Sequence, residues 1–236
     1  MPCSVDMKNL ELVIFDMDGL MLDTGKFAYL SYVESAKKYN FEMVQDIYYH
    51  LTGRRDSEII EGMRQLYGDE KDVVQWRKTM VKKRIEMIEK ATSIGKKPGL
   101  EILLQFLKER SIKIALASSN TSENIKRYLR MENLENTFDY ILSGEMVSKG
   151  KPDPEIFLKA CEIAKVDVGR ALVLEDSIVG VKSAKSANIA VFLIRDHLKG
   201  LPTYHGKYKI QKKIKLEYEQ PSKEFQNLWE VKEYLR

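Results

Sequence analysis

Apolar runs too short to cross a membrane and too unbroken for a half-exposed surface punctuate this chain, and they set its fold class. They fall at residues 10–16, 112–118, 138–142, 171–175 and 190–194. Such runs fit strands buried on both faces, the condition of a parallel sheet covered by helices. Between them lie helical patterns at 100–109, 122–130, 154–164 and 177–187. In the last of these, Ile178, Val181, Ala184 and Ala187 recur every third residue, and Pro154 suits a first helical turn. Strand and helix therefore alternate from 98 to 194, which argues for βαβ units.

The expected architecture is α/β, with a Rossmann-like, doubly wound parallel sheet as its core. Residues 24–94 interrupt the alternation with consecutive helical patterns, near 27–38, 55–67 and 73–90, and with no strong strand. We expect a small α-helical cap domain at 24–94, inserted into a core domain formed by 1–23 and 95–236. Past Asp196 the pattern weakens: 199–224 is polar and basic, and 225–235 reads as a final helix. A length of 236 residues suits one larger domain plus an insertion. The 44% hydrophobic content is too high for a disordered chain. A net charge of +4, scattered along the sequence, gives no reason to expect a nucleic-acid partner. No run approaches the roughly 20 residues a bilayer demands, and the first residues lack the apolar stretch of a secretory signal. Cys3 and Cys161 form neither a disulfide framework nor a zinc cluster, and His50, His197 and His205 share no ligand spacing. A cytoplasmic protein without a membrane or nucleic-acid partner is the expectation.

In an open parallel sheet, ligands bind beyond the carboxyl ends of the strands. Asp16 and Asp18 stand at the first such end, Ser118, Ser119 and Asn120 at the second, and Glu175 and Asp176 at the fourth. Lys151 lies in the loop after the third. So many carboxylates cannot all stay ionised and dry without a cation. Oxygen ligands with neither histidine nor thiolate favour a hard ion, Mg²⁺ before Zn²⁺.

Four segments carry a family resemblance. Asp16-Met-Asp-Gly-Leu-Met-Leu-Asp-Thr24, Ala117-Ser-Ser-Asn120, Gly150-Lys-Pro-Asp-Pro-Glu-Ile-Phe157 and Leu174-Glu-Asp-Ser-Ile-Val-Gly-Val181 resemble, in order, the motifs of the haloacid dehalogenase-like hydrolases. Within that superfamily they are most similar to the β-phosphoglucomutase and pseudouridine-5′-phosphatase branch. The resemblance implies that Asp16 is a nucleophile forming an aspartyl-phosphate, and that Asp18 is the general acid and base. It implies that Ser118 and the amide of Ser119 hold the transferring phosphoryl group, with Gly19 and Asn120 in the phosphate-binding set. Lys151 would neutralise phosphate charge and hold Asp16. Asp16, Asp18 (through its backbone carbonyl), Glu175 and Asp176 would hold Mg²⁺. Arg55, beside Arg54, would contact substrate from the cap. Mutases of the branch place a proton-shuttling histidine early in the first cap helix; the matching residue here is Ala28, which favours net hydrolysis.

Taken singly, each motif is ordinary: an acidic turn, a serine N-cap, a solvated loop lysine, acids at the start of a helix. An EF-hand also begins with two alternating acids, but Leu20 and Phe27 occupy its fifth and twelfth positions. Four unrelated caps seldom match one reaction's parts. The expectation is a Mg²⁺-dependent phosphatase acting on a small phosphate ester, a sugar phosphate or nucleoside monophosphate, as a monomer or weak dimer. Its rivals are a sugar-phosphate mutase and a non-catalytic protein that binds a phosphometabolite.

Overall fold

The computed structural model describes residues 9–52, 56–68, 72–196, 198, 200–211 and 220–236. Arg54, Arg55, His197, Cys3 and the lysines at 212–215 lie outside the described residues. The chain divides into two compact units. One comprises Met1–Asp23, Ser93–Asp196 and Tyr218–Arg236; the other comprises Thr24–Thr92 and His197–Glu217.

The first unit is built on six parallel strands in the order β3-β2-β1-β4-β5-β6: β1 (Leu12–Phe15), β2 (Lys113–Ala117), β3 (Tyr140–Leu142), β4 (Ala171–Glu175), β5 (Ala190–Ile194) and β6 (Lys223–Phe225). Every residue of β1, β4 and β5 is buried, as the unbroken apolar runs require. The winding reverses beside β1, whose neighbours are β2 on one side and β4 on the other. That reversal opens a crevice at the carboxyl ends of β1 and β4. Its helices include α5 (Leu100–Glu109), α6 (Ser122–Met131), α7 (Glu155–Ala164) and α8 (Ile178–Ser186), and the last two pack Phe157, Ala160, Val181 and Ala184 against the sheet residues Leu12, Ile14, Val173 and Val191. No helix among the described residues is long and apolar enough to cross a membrane.

The sixth strand is a correction to the sequence reading. Lys-Glu-Phe at 223–225 has one apolar residue and lies at a sheet edge, so no buried run marks it. It takes Phe225 from the expected final helix, and α9 (Leu228–Leu235) starts later, where Asn227 accepts a cap hydrogen bond from Glu230 N at 3.1 Å.

The second unit is helical: α1 (Thr24–Tyr39), α2 (Gln45–Leu51), α3 (Asp56–Tyr67) and α4 (Val73–Lys90). The 73–90 helix matches its expected bounds because Asp72 caps it, accepting from Gln75 N at 3.0 Å. The seven-residue α2 is too short for its period to be read from sequence. Trp76 is fully buried, donates to Ser35 Oγ at 3.1 Å and stacks on Phe41 at 4.2 Å. Residues 198 and 200–211 also go with this unit, whereas from sequence 95–236 is expected in the α/β core. Met43 and Tyr204 exchange backbone hydrogen bonds of 2.7 and 2.9 Å, Lys209 meets Glu42 at 3.0 Å, and Leu198 is buried in the helical core. Tyr204 and Tyr208 face that core, and their aromatic packing outweighs the polar composition around them.

Candidate active site

Three strand ends converge on one ammonium group. Lys151 Nζ donates to Asp16 Oδ1 at 2.6 Å beyond β1, to Glu175 Oε1 at 2.7 Å on β4, and to Ala117 O at 3.2 Å on β2. That spends all three of its protons. Both carboxylates and the lysine are buried. Burial works against a charged Lys151, but attraction to Asp16 and Glu175 outweighs it and holds the ammonium protonated above its usual range.

Local sequence delivers each partner. Asp16 N continues the sheet ladder to Leu174 O at 3.0 Å, which fixes the nucleophile candidate at the crevice. Lys151 rides on a loop clamped by Glu155, which accepts from Ser148 N at 2.8 Å, Ser148 Oγ at 2.7 Å and Lys149 N at 2.9 Å. Those hydrogen bonds bring the Glu155 carboxyl down to about 2. Glu175 Oε2 accepts from Asp176 N, Ser177 N and Ser177 Oγ, while Ser177 Oγ caps α8 by accepting from Gly180 N at 3.0 Å. A Cβ on Gly180 would overlap the Glu175 carboxyl group. The Glu-Asp-Ser-x-x-Gly run is thus one device: an acid, its cap and the clearance it requires. Gly180→Ala is expected to cost about 1–3 kcal/mol through overpacking. Urea unfolding reads this, and an unchanged midpoint would show that Glu175 can move aside at no cost.

The turn after β1 brings in the second aspartate. Met21 N and Leu22 N both donate to Met17 O at 3.1 Å, closing a tight loop. Gly19 has φ +83°, and a Cβ there would overlap Asp176 Oδ2, so only glycine lets the turn approach that acid. This gives Gly19 a backbone role distinct from the phosphate contact expected of it. Asp18 is hydrogen-bonded by Asn120 Nδ2. Asn120 therefore serves Asp18, a use its sequence position did not reveal. Ser118 is fully buried, and its Oγ accepts from Asn120 N at 3.1 Å. Ser119 is exposed, with its carbonyl packed where a Cβ of Gly144 would stand.

Asp16, Glu175 and Asp176 each offer an oxygen within 4.8 Å of the others. Asp18 contributes no side-chain oxygen to that group, since its carboxylate faces Asn120. Three acids stand in one cluster, and the lysine pairs with two of them. Burial first, then repulsion from Glu175 and Asp18 against the pull of Lys151, pushes the Asp16 carboxyl up to about 7. Burial, with repulsion from Glu175, Asp16 and Asp196, also raises Asp176 well above the usual carboxylate range. Hard oxygen donors with a surplus of negative charge fit a hard divalent cation.

With chelator present, folded Asp16 keeps its proton up to about pH 7, whereas the unfolded chain releases it near 4. The folded state therefore binds more protons across that window, and its stability falls as pH rises from about 4 to about 7. Added Mg²⁺ should raise the melting temperature clearly at pH 8 and little at pH 5. Equal shifts at both values would contradict this assignment.

The family model of the haloacid dehalogenase-like hydrolases matches residues 13–194. A phosphorylated carbohydrates phosphatase of Thermotoga maritima is 32% identical over 180 residues, covering 76% of this chain and 82% of its own. A β-phosphoglucomutase of Bacillus subtilis is 31% identical over 185 residues, with 76% and 81% covered. The crystal structure of a β-phosphoglucomutase from Clostridium difficile aligns with a TM-score of 0.65 at 27% identity, covering 78% of this chain and 84% of that one. A doubly wound parallel sheet with a buried acid–lysine cluster at its switch point is a Rossmann-like fold with a polar centre where such folds bind ligands. The chain belongs to the haloacid dehalogenase-like hydrolases.

Proposed function

We propose that the protein is a Mg²⁺-dependent phosphatase of small phosphate esters, a sugar phosphate or nucleoside monophosphate, working through an aspartyl-phosphate on Asp16. The observation that carries this is the ammonium of Lys151 shared between Asp16 and Glu175 at the crevice beside β1. An anionic carboxylate attacking an anionic phosphate faces repulsion that only fixed positive charge offsets. Lys151 supplies one charge and keeps one Asp16 oxygen engaged, which orients the other for attack.

Asp16 and Asp176, with Glu175 in support, would hold the Mg²⁺. Glu175 is the lesser ligand, because it already serves Lys151 and the backbone at Asp176 and Ser177. When bound, the ion lowers the charge barrier between Asp16 and the substrate. Asp18, steadied by Asn120, gives its proton to the departing alcohol oxygen and then takes one from the water that cleaves the acyl phosphate. Ser118 and the Ser119 amide bind the phosphoryl oxygens. In this reading the helical unit is the cap that selects the organic part of the substrate, with Arg55 a candidate contact.

A mutase is the second reading, favoured by the Bacillus subtilis relative. Ala28, buried in α1, carries no titratable group, which favours hydrolysis. A phosphate-release screen over a metabolite panel, with Mg²⁺ or chelator, tests the proposal; isomerised sugar phosphate without phosphate release would replace it with the mutase. Asp18→Asn is expected to lower kcat by about 10²–10⁴-fold, the range for a lost acid–base group. A wild-type rate would remove Asp18 from that role.

A further inference from the structure

A second lysine and two further acids stand beside this centre, and the steps above leave them unused. Asp196 lies two residues beyond β5, is buried, and accepts from Lys97 Nζ at 2.5 Å. The same Nζ reaches Asp23 Oδ1 at 2.8 Å. The backbone repeats the connection: Lys97 N donates to Met21 O at 2.8 Å, and Asp23 N to Gly95 O at 2.9 Å. Segment 95–97 therefore runs along the far end of the turn that begins at Asp16. At the apex of that turn, a Cβ on Gly19 would overlap Asp176 Oδ2 and lie 3.4 Å from Asp196 Oδ2. One turn is thus tied at two places, by the sheet at Asp16 and by Lys97 at its exit, while its apex at Gly19 lies against Asp176 and near Asp196.

We propose that Lys97 and Asp196 are positioning residues of the acidic centre. By clamping the 16–23 turn against the end of β5, they set how Asp16 and Asp176 present their oxygens to a divalent cation. The inference rests on the cation reading above. It differs in sign from simple electrostatics. Removing a lysine near an acidic cluster would, by charge alone, tighten cation binding. Removing a clamp loosens the ligand geometry and weakens it.

Isothermal titration of the full chain with Mg²⁺, without substrate, separates the two. Lys97→Met is expected to weaken Mg²⁺ binding about tenfold, the lower end of what supporting residues around a metal site cost. Asp196→Asn should weaken it by a similar factor. The double variant Lys97→Met/Asp196→Asn leaves only the partly exposed Asp23 without its lysine and strands no buried charge, so it guards against misfolding of the single variants. It should bind no more weakly than Lys97→Met alone, because both residues act through one contact. Tighter binding by Lys97→Met, or wild-type affinity in the double variant, would overturn the inference. Asp176→Ala is the control for the underlying reading. If it binds Mg²⁺ like wild type, the cation reading itself fails. If it loses Mg²⁺ while the Lys97 and Asp196 variants keep it, only the positioning role fails.

Discussion

Asp16→Asn should lose phosphate release by at least about 10⁴-fold while remaining folded, given how much rate a covalent nucleophile carries. The amide keeps the shape of the carboxylate, and its oxygen can still accept from Lys151, which donates to Asp16 at 2.6 Å in the wild-type chain. It lacks the charge and basicity to attack phosphorus. The buried centre holds more acids than bases, so removing one negative charge relieves repulsion on Glu175 and Asp176. The variant should therefore unfold at the same urea concentration as wild type or higher. A folded variant with wild-type turnover would end the aspartyl-phosphate reading. A variant that loses activity only by unfolding would leave Asp16 with a structural role instead.

Lys151→Met should be the most damaging change to the fold. Its ammonium is the shared partner of two buried carboxylates, and a methionine fills the space without meeting either. Stranding buried charge in this way costs about 3–5 kcal/mol. Thermal melting and urea unfolding read the loss directly. Combining the change with Glu175→Gln should recover part of it, since the second substitution neutralises one stranded acid. An unchanged melting temperature for Lys151→Met would show that the acids find other partners, and Lys151 would no longer serve as the counter-charge of the centre.

The parts of the site that were legible in sequence share a physical cause. Asp16 and Glu175 follow or end fully buried strands, so their places were set by apolar runs visible along the chain. Ser177 and Gly180 follow within five residues, and their spacing expresses cap and clearance locally. Asp196 also stood at a strand end, and the same rule would have found it. Lys97 carried no such signal. Its two ion pairs span 74 and 99 residues of chain, and nothing near position 97 announces either. Asn120 stands at the expected strand end, but its amide partner, Asp18, is 102 residues away, and no local signal names it. Ser119 lies at the same strand end, yet it is exposed. Residue type and spacing do not say which of three neighbouring polar groups turns inward.

Hydrophobic burial is a property of consecutive residues, and so the sequence alone determined the alternation of strands and helices, the winding of the sheet, the helical block and the four segments that carry the family resemblance. The edge strand at 223–225 and the attachment of 200–211 to the helical unit were decided only in three dimensions, because each depends on partners far away in the chain. The same holds for the sharing of one ammonium among three strand ends and for the Lys97 clamp. A charge buried in a low-dielectric interior is governed by whichever opposite charge the fold brings within hydrogen-bonding reach, and that distance is fixed by packing across the whole sheet.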